Sequence, residues 1–220
     1  MDTLPSQFAS LRNEEAFPVF KNLPHDLDLD DDYYDTTGRP IIHWCFLGQV
    51  VQIDDITRLR LVVKDKTGQV VVVAFYTGRD HHPHHPQLRV GSTIAILYAQ
   101  QHIFLDSSVG IRLETAENLK VIPMGLDELL ELSDKMQDYA IEDNGVKKCQ
   151  GCDRRAASLR NCAKCVHFSY CDKDCQTVAW NDKGHKADCK VLRDADFGGL
   201  LRLQWNVFGD YRRFPLNPQE

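Results

Sequence analysis

The chain has 220 residues, 43% of them hydrophobic and 26% charged, with a formal net charge of -6, enough for one medium domain plus a small metal-stapled one. No run approaches the roughly 18 apolar residues of a membrane span, and the opening MDTLPSQFASLRNEE lacks a signal-peptide core, which excludes a membrane role and points to the cytoplasm or nucleus.

Residues 1–39 carry nine acids against three bases. The run DLDLDDDYYD, Asp26 to Asp35, invites a calcium loop, but the position that needs glycine is Asp31 and the closing position is Thr37 rather than glutamate. The expectation is a solvated, partly disordered acidic segment, which Phe17, Phe20 and Tyr33 or Tyr34 can tack onto the following domain.

Over residues 40–123 the pattern changes to short apolar, β-branched runs bounded by turn residues. Five strands are expected: Ile41 to Ile53, Arg58 to Lys64, Gln69 to Tyr76, Thr93 to Phe104 and Gly110 to Val121. Asp65-Lys66-Thr67-Gly68 is the tightest turn, with Gly68 free to take positive φ, so the second and third strands form a hairpin. Five strands in about 80 residues, the first one long, predict a small closed barrel. The order of elements and the wording LVVKDKTGQVVVVAFY resemble an OB-fold of the type in single-strand-binding replication proteins. The fold class is therefore mainly β with small α.

Strand parity puts Leu59, Leu61 and Val63 inside and leaves Arg58, Arg60 and Lys64 outside. The OB resemblance places those three on the face such domains use for oligonucleotides, which gives nucleic acid as the alternative function; the bland reading is a solvated face beside Asp54 and Asp55. Single-strand grooves also want aromatic platforms, and Phe75, Tyr76 and Phe104 are the nearby candidates. His81, His82, His84 and His85 suggest a metal, but the neighbouring prolines favour a plain surface loop. Cys45, between Trp44 and Phe46, reads as a small buried core residue.

Residues 124–148 return to a helical period from Leu126 to Ile141, with Leu129, Leu132, Met136 and Ala140 on one face. This linker helix should end near Asp143-Asn144-Gly145.

Residues 149–189 hold seven of the eight cysteines. The spacing is Cys149-x2-Cys152, Cys162-x2-Cys165, Cys171-x3-Cys175 and His185-x3-Cys189. Four close pairs of thiolate and imidazole ligands suit two tetrahedral structural zinc ions. A disulfide cluster is the competing reading, and clustered thiols without a secretion signal favour metal. Lysines and arginines slightly outnumber acids here, but seven thiolates outweigh two zinc ions and leave the loaded finger near neutral, which argues against simple phosphate binding. A segment this small cannot build an adequate core, so zinc has to hold it together.

With Tyr170 before Cys171, Gln176 after Cys175, and Trp180 preceding His185-x3-Cys189, the segment resembles a MYND-type zinc finger. That resemblance implies interleaved ligands, Cys149, Cys152, Cys171 and Cys175 on one zinc and Cys162, Cys165, His185 and Cys189 on the other; spacing alone does not fix the pairing. It also implies peptide docking, in which proline-rich segments of the PxLxP kind meet Gln176 and Trp180. An extended peptide of that kind loses little entropy on an aromatic wall. Trp180 reads equally well as buried core.

Residues 190–220 form an apolar tail, with Leu200, Leu201, Leu203, Trp205, Val207, Phe208, Tyr211 and Phe214, that either docks or offers a partner-binding peptide. Both zinc shells are filled by protein, and there is no phosphate loop, nucleophile elbow or SET-domain motif, so neither a metal hydrolase nor a methyltransferase is expected. The sequence describes a zinc-binding adaptor protein, not an enzyme, with two structural Zn2+ and a protein partner.

Overall fold

The computed structural model describes residues 8–56, 58–77, 88–141 and 145–216. The histidine loop from His81 to His85 lies outside them. The chain divides into two compact units, one of 11–129 with 204–216, the other of 1–10 with 130–203 and 217–220.

In the first unit, seven strands share one sheet: β1 (Cys45–Asp54), β2 (Arg60–Lys64), β3 (Val70–Phe75), β4 (Thr93–Leu97), β5 (Gln101–Ile103), β6 (Val109–Leu113) and β7 (Leu119–Ile122). Their order is β5-β6-β3-β2-β1-β4-β7, antiparallel throughout except for the parallel pair β3 with β6. The core holds Trp44, Phe46, Leu61, Val63, Val73 and Phe75. β2 alternates as expected, with Leu61 and Val63 buried and Arg60 and Lys64 exposed.

The expected closed barrel of five strands requires correction, because the ladder order is open, with β5 and β7 at its edges. Both of the last two expected strands are interrupted. Tyr98 takes φ 55, the left-handed region that a strand cannot continue through, and it separates β4 from β5. A 3-10 turn at Ala116–Asn118 separates β6 from β7. The edge at β5 is covered by the N-terminal segment: Gln101 N–H donates to Pro24 O (2.8 Å) and Asp26 N–H to Gln101 O (3.0 Å). The first strand also begins later than expected, at Cys45.

One carboxylate explains the β2–β3 turn. Asp65 is buried, and its Oδ1 accepts from Thr67 N (2.8 Å), Thr67 Oγ1 (2.7 Å) and Gln69 N (3.0 Å), while Oδ2 accepts from Phe20 N (3.0 Å). Gly68 takes φ 82, as the turn requires. Burial pushes the Asp65 carboxyl up, but the hydrogen bonds from Thr67, Phe20 and Gln69 together outweigh it and hold it below the ordinary range.

The segment before β1 contributes Phe20, Leu23 and Tyr33 to the core, and Tyr33 donates its hydroxyl to Asn22 O (2.8 Å). Leu27 and Leu29 of the acidic run stay exposed. From the tail, Trp205 packs against Phe17 (centroids 4.6 Å apart, rings tilted by 56°) and its carbonyl accepts from His43 N (2.8 Å). Phe214 N–H donates to Glu117 O (2.6 Å).

Helix α1 (Leu126–Asp138) starts in the first unit, where Leu126 N–H donates to Gln49 Oε1 (2.8 Å), and runs into the second. The second unit adds four two-residue strands, β8 (Lys147–Lys148), β9 (Arg155–Ala156), β10 (Arg160–Asn161) and β11 (Ser169–Tyr170). Helices α2 (Lys173–Asn181), α3 (His185–Leu192) and α4 (Ala195–Arg202) follow. Its buried apolar residues include Met136, Phe168, Leu192, Phe197 and Leu200, so α1 and α4 supply much of the core that the finger alone lacks. Among the described residues, no helix is long and apolar enough to cross a membrane.

Candidate metal centre

Two tight turns present four of the ligands. In the first, Asp153 N–H donates to Cys149 O (2.8 Å) and Asp153 takes φ 60; in the second, Val166 N–H donates to Cys162 O (2.9 Å) and Val166 takes φ 59. Aspartate tolerates that left-handed conformation, whereas a β-branched valine is strained in it. Gly151 has no room for a side chain: a Cβ there would meet Cys175 O at 2.5 Å and Cys175 Cα at 2.6 Å. The first turn therefore seats directly against the start of α2.

α2 begins immediately after Cys171 because Asp172 caps it, its Oδ1 accepting from Cys175 N (2.8 Å). Between α2 and α3, Gly184 takes φ 77, and α3 then starts at His185. His185 and Cys189 lie one turn apart on α3, and both are buried.

The ligand atoms converge in two groups, Cys149, Cys152, Cys171 and Cys175 in one and Cys162, Cys165, His185 and Cys189 in the other, each with all atoms within 4.8 Å of one another. This is the interleaved pairing. Zn–S bonds of about 2.3 Å at tetrahedral angles put sulfurs about 3.8 Å apart. Cys152 and Cys171 Sγ are 3.7 Å apart, Cys162 and Cys189 Sγ 4.0 Å, and His185 Nε2 lies 3.4 Å from Cys162 Sγ and 3.8 Å from Cys165 Sγ. Disulfide bonds would need about 2.05 Å, and all eight cysteines are free. The residues fit two zinc ions.

Three rings orient the one imidazole ligand. Phe168, Tyr170 and Trp180 stand 5.2, 5.7 and 5.7 Å from the His185 ring, centroid to centroid. Burial, reinforced by Lys135, holds His185 down to about 4, so at neutral pH its lone pair is available to a metal. Burial and the neighbouring Cys165 and Cys162 push the Cys189 thiol up to about 12. Metal loading must therefore displace protons.

Outside the ligands, Asp153 accepts from Tyr139 Oη (2.6 Å) and Lys183 Nζ (2.8 Å), tying the residue that follows α1 and the link between α2 and α3 to the first turn. Nothing in the spacing of the cysteines marks Asp153, Gly151 or Val166; only their place beside paired cysteines could have singled them out. Cys45 is fully buried, and burial raises its thiol well above the usual range, which leaves it inert.

Gln176 is exposed on α2 and Trp180 is half-buried on the same face, with Lys164 Nζ 5.6 Å from the indole centroid. In the β-rich unit, Arg58, Arg60 and Lys64 are all exposed, and Phe75 is buried. Tyr76 is exposed and lies under two guanidiniums, Arg58 Cζ at 3.9 Å and Arg112 Cζ at 4.4 Å.

The family model described as MYND finger matches residues 149–189. No curated protein matches the chain. Among solved structures, a murine DNA-binding protein bound with double-stranded DNA is 18% identical over 38% of this chain and 42% of its own, with a TM-score of 0.29; the chain thus spans about two-fifths of it. Schizosaccharomyces pombe Pot1pC bound to ssDNA is 10% identical over 45% of this chain and 90% of its own (TM-score 0.32). A replication protein A heterotrimer bound to ssDNA is 12% identical over 53% and 83% (TM-score 0.31). Likenesses this faint identify no ligand for the sheet. At residues 149–189 the chain carries a MYND-type zinc finger whose two four-ligand sites fit two zinc ions.

Proposed function

We propose that the protein is a zinc-dependent adaptor whose finger docks a proline-rich segment of a partner protein on Gln176 and Trp180. The observation that carries this reading is the placement of an exposed amide and a half-exposed indole on α2, directly after the ligand Cys175. The start of the helix is held by the ligands Cys171 and Cys175, which favours a preorganised face, and an extended proline-rich peptide pays little ordering entropy on it. No catalytic role is assigned, since each four-ligand shell is closed. Free thiols in such number suit the reducing cytoplasm or nucleus.

Calorimetric titration of a PxLxP-containing peptide tests it. Gln176→Ala, which removes no ligand contact, and Trp180→Ala should each weaken binding about tenfold or more while two zinc ions per chain remain. Unchanged affinity in Gln176→Ala would reject the site.

We infer an OB-like arrangement for this open sheet, supported by the pairing of β1 with both β2 and β4 and by the parallel run of β3 beside β6. A second reading is single-stranded nucleic acid on its outer face, favoured by the exposed Tyr76 beside Arg58 and Arg112, with Arg60 and Lys64 exposed along β2. Arg112 is also paired with Glu114 (2.6 Å). Salt-dependent oligonucleotide affinity that falls on replacing Arg58, Arg60 and Lys64 would support this reading; no binding at low salt would end it.

A further inference from the structure

The two metal sites each gather four ligand atoms within 4.8 Å, but they differ in their access to water. In one, Cys162, Cys165 and Cys189 are each 2% exposed and His185 is fully buried. Phe168 and Tyr170, both buried, and the half-buried Trp180 close around that imidazole. In the other, Cys149 is buried, Cys171 and Cys175 are half-buried, and Cys152 is exposed. A small solute therefore reaches sulfur in the second cluster and not in the first.

Donor chemistry points to the same cluster. Once loaded, four thiolates exceed the charge of one divalent zinc ion by two, whereas three thiolates and a neutral imidazole exceed it by one. The sulfurs of the four-cysteine cluster keep more electron density and are the better nucleophiles toward a neutral oxidant. Within that cluster, exposure selects Cys152 as the first thiolate to react. Cys171 Sγ lies 3.7 Å away, on a different segment of chain, and is itself partly open to solvent. A disulfide needs about 2.05 Å. The two segments already touch, since Gly151, beside Cys152, packs against the backbone of Cys175.

We propose that Cys152 and Cys171 form a peroxide-oxidised disulfide site, whose closure releases the zinc ion of the Cys149 cluster and leaves that of the His185 cluster in place. The Cys152 thiolate attacks one oxygen of hydrogen peroxide and breaks the O–O bond; the sulfur becomes a sulfenic acid and the other oxygen leaves as hydroxide. The Cys171 thiolate then attacks Cys152 Sγ and expels a second hydroxide. Two thiolates are thereby oxidised to one disulfide, and one peroxide is reduced to two hydroxide ions. Only Cys149 and Cys175 are left as donors, too few for a closed structural shell. None of these steps depends on what Gln176 and Trp180 bind.

Native mass spectrometry of the zinc-loaded full chain, sampled through a hydrogen peroxide time course, tests the proposal. One zinc ion should leave about tenfold faster than the other or more, with the chain losing two hydrogen atoms. Alkylation in denaturant followed by peptide mapping should then find Cys152 joined to Cys171, and Cys162, Cys165 and Cys189 all alkylated. Dithiothreitol with added zinc should restore two ions. Cys152→His keeps a zinc donor but removes the exposed thiol, and it should slow the first release about tenfold. If that variant does not load two zinc ions, the rates and mapping of the unaltered chain decide alone. Retention of both ions, loss of both at one rate, earlier oxidation of Cys162, Cys165 or Cys189, a crosslink between any other pair, or release that dithiothreitol and zinc do not reverse would each overturn it.

Discussion

Single residues set the local geometry on which both units depend. Asp65 satisfies three backbone donors and one hydroxyl, so Asp65→Ala should cost about 2–4 kcal/mol in urea unfolding, most of it from stranded donors in the turn and at Phe20. Its folded carboxyl lies below the ordinary value, so its contribution is complete above the unfolded value near 4 and is lost as pH falls through the folded one. Asp65→Asn should therefore flatten the acid limb of the stability curve; an unchanged limb would show that other groups control it. Val166 presents the opposite case, a strained residue beside a ligand. Val166→Gly should stabilise the finger by about 1 kcal/mol, seen as a higher chemical-denaturation midpoint with zinc content unchanged. Gly151→Ala should instead release zinc from the Cys149 site more readily, because a Cβ collides with the Cys175 backbone.

At the scale of elements, the positions of hairpins and helices were legible where local chemistry dictates them. The Asp65–Gly68 turn and the alternation of β2 both follow from turn residues and parity. The closed five-stranded barrel was not legible, because its fate turns on Tyr98, whose residue type gives no sign of the φ 55 it adopts. That conformation is imposed from outside the strand: Trp44 Nε1 donates to Ala99 O (2.8 Å), and Tyr98 Oη accepts from Arg212 N (2.9 Å), more than a hundred residues on. The ligand set was fully legible from spacing, while the pairing came from family resemblance, since two tetrahedral sites can be drawn from four pairs in several ways. What spacing could not reveal is the aromatic setting of His185, which makes Trp180 part core and part surface. Replacing the cap of α2, Asp172→Ala, should cost about 1 kcal/mol and loosen Cys175, read as faster zinc transfer to a chelator.

For the whole molecule, the central claim is that metal organises the finger and so its docking face. Structural zinc contributes roughly 10–16 kcal/mol per site in small fingers, far beyond what this segment's own apolar residues supply. Because loading displaces protons from thiols held at high values, zinc affinity should fall as the medium becomes more acidic. Native mass spectrometry of two double variants tests the interleaved arrangement directly. Cys152→Ser with Cys171→Ser strikes one site and should leave one zinc ion per chain, whereas Cys152→Ser with Cys165→Ser strikes both and should leave none. The reverse outcome would mean that neighbouring pairs share a metal in chain order, and it would contradict the account.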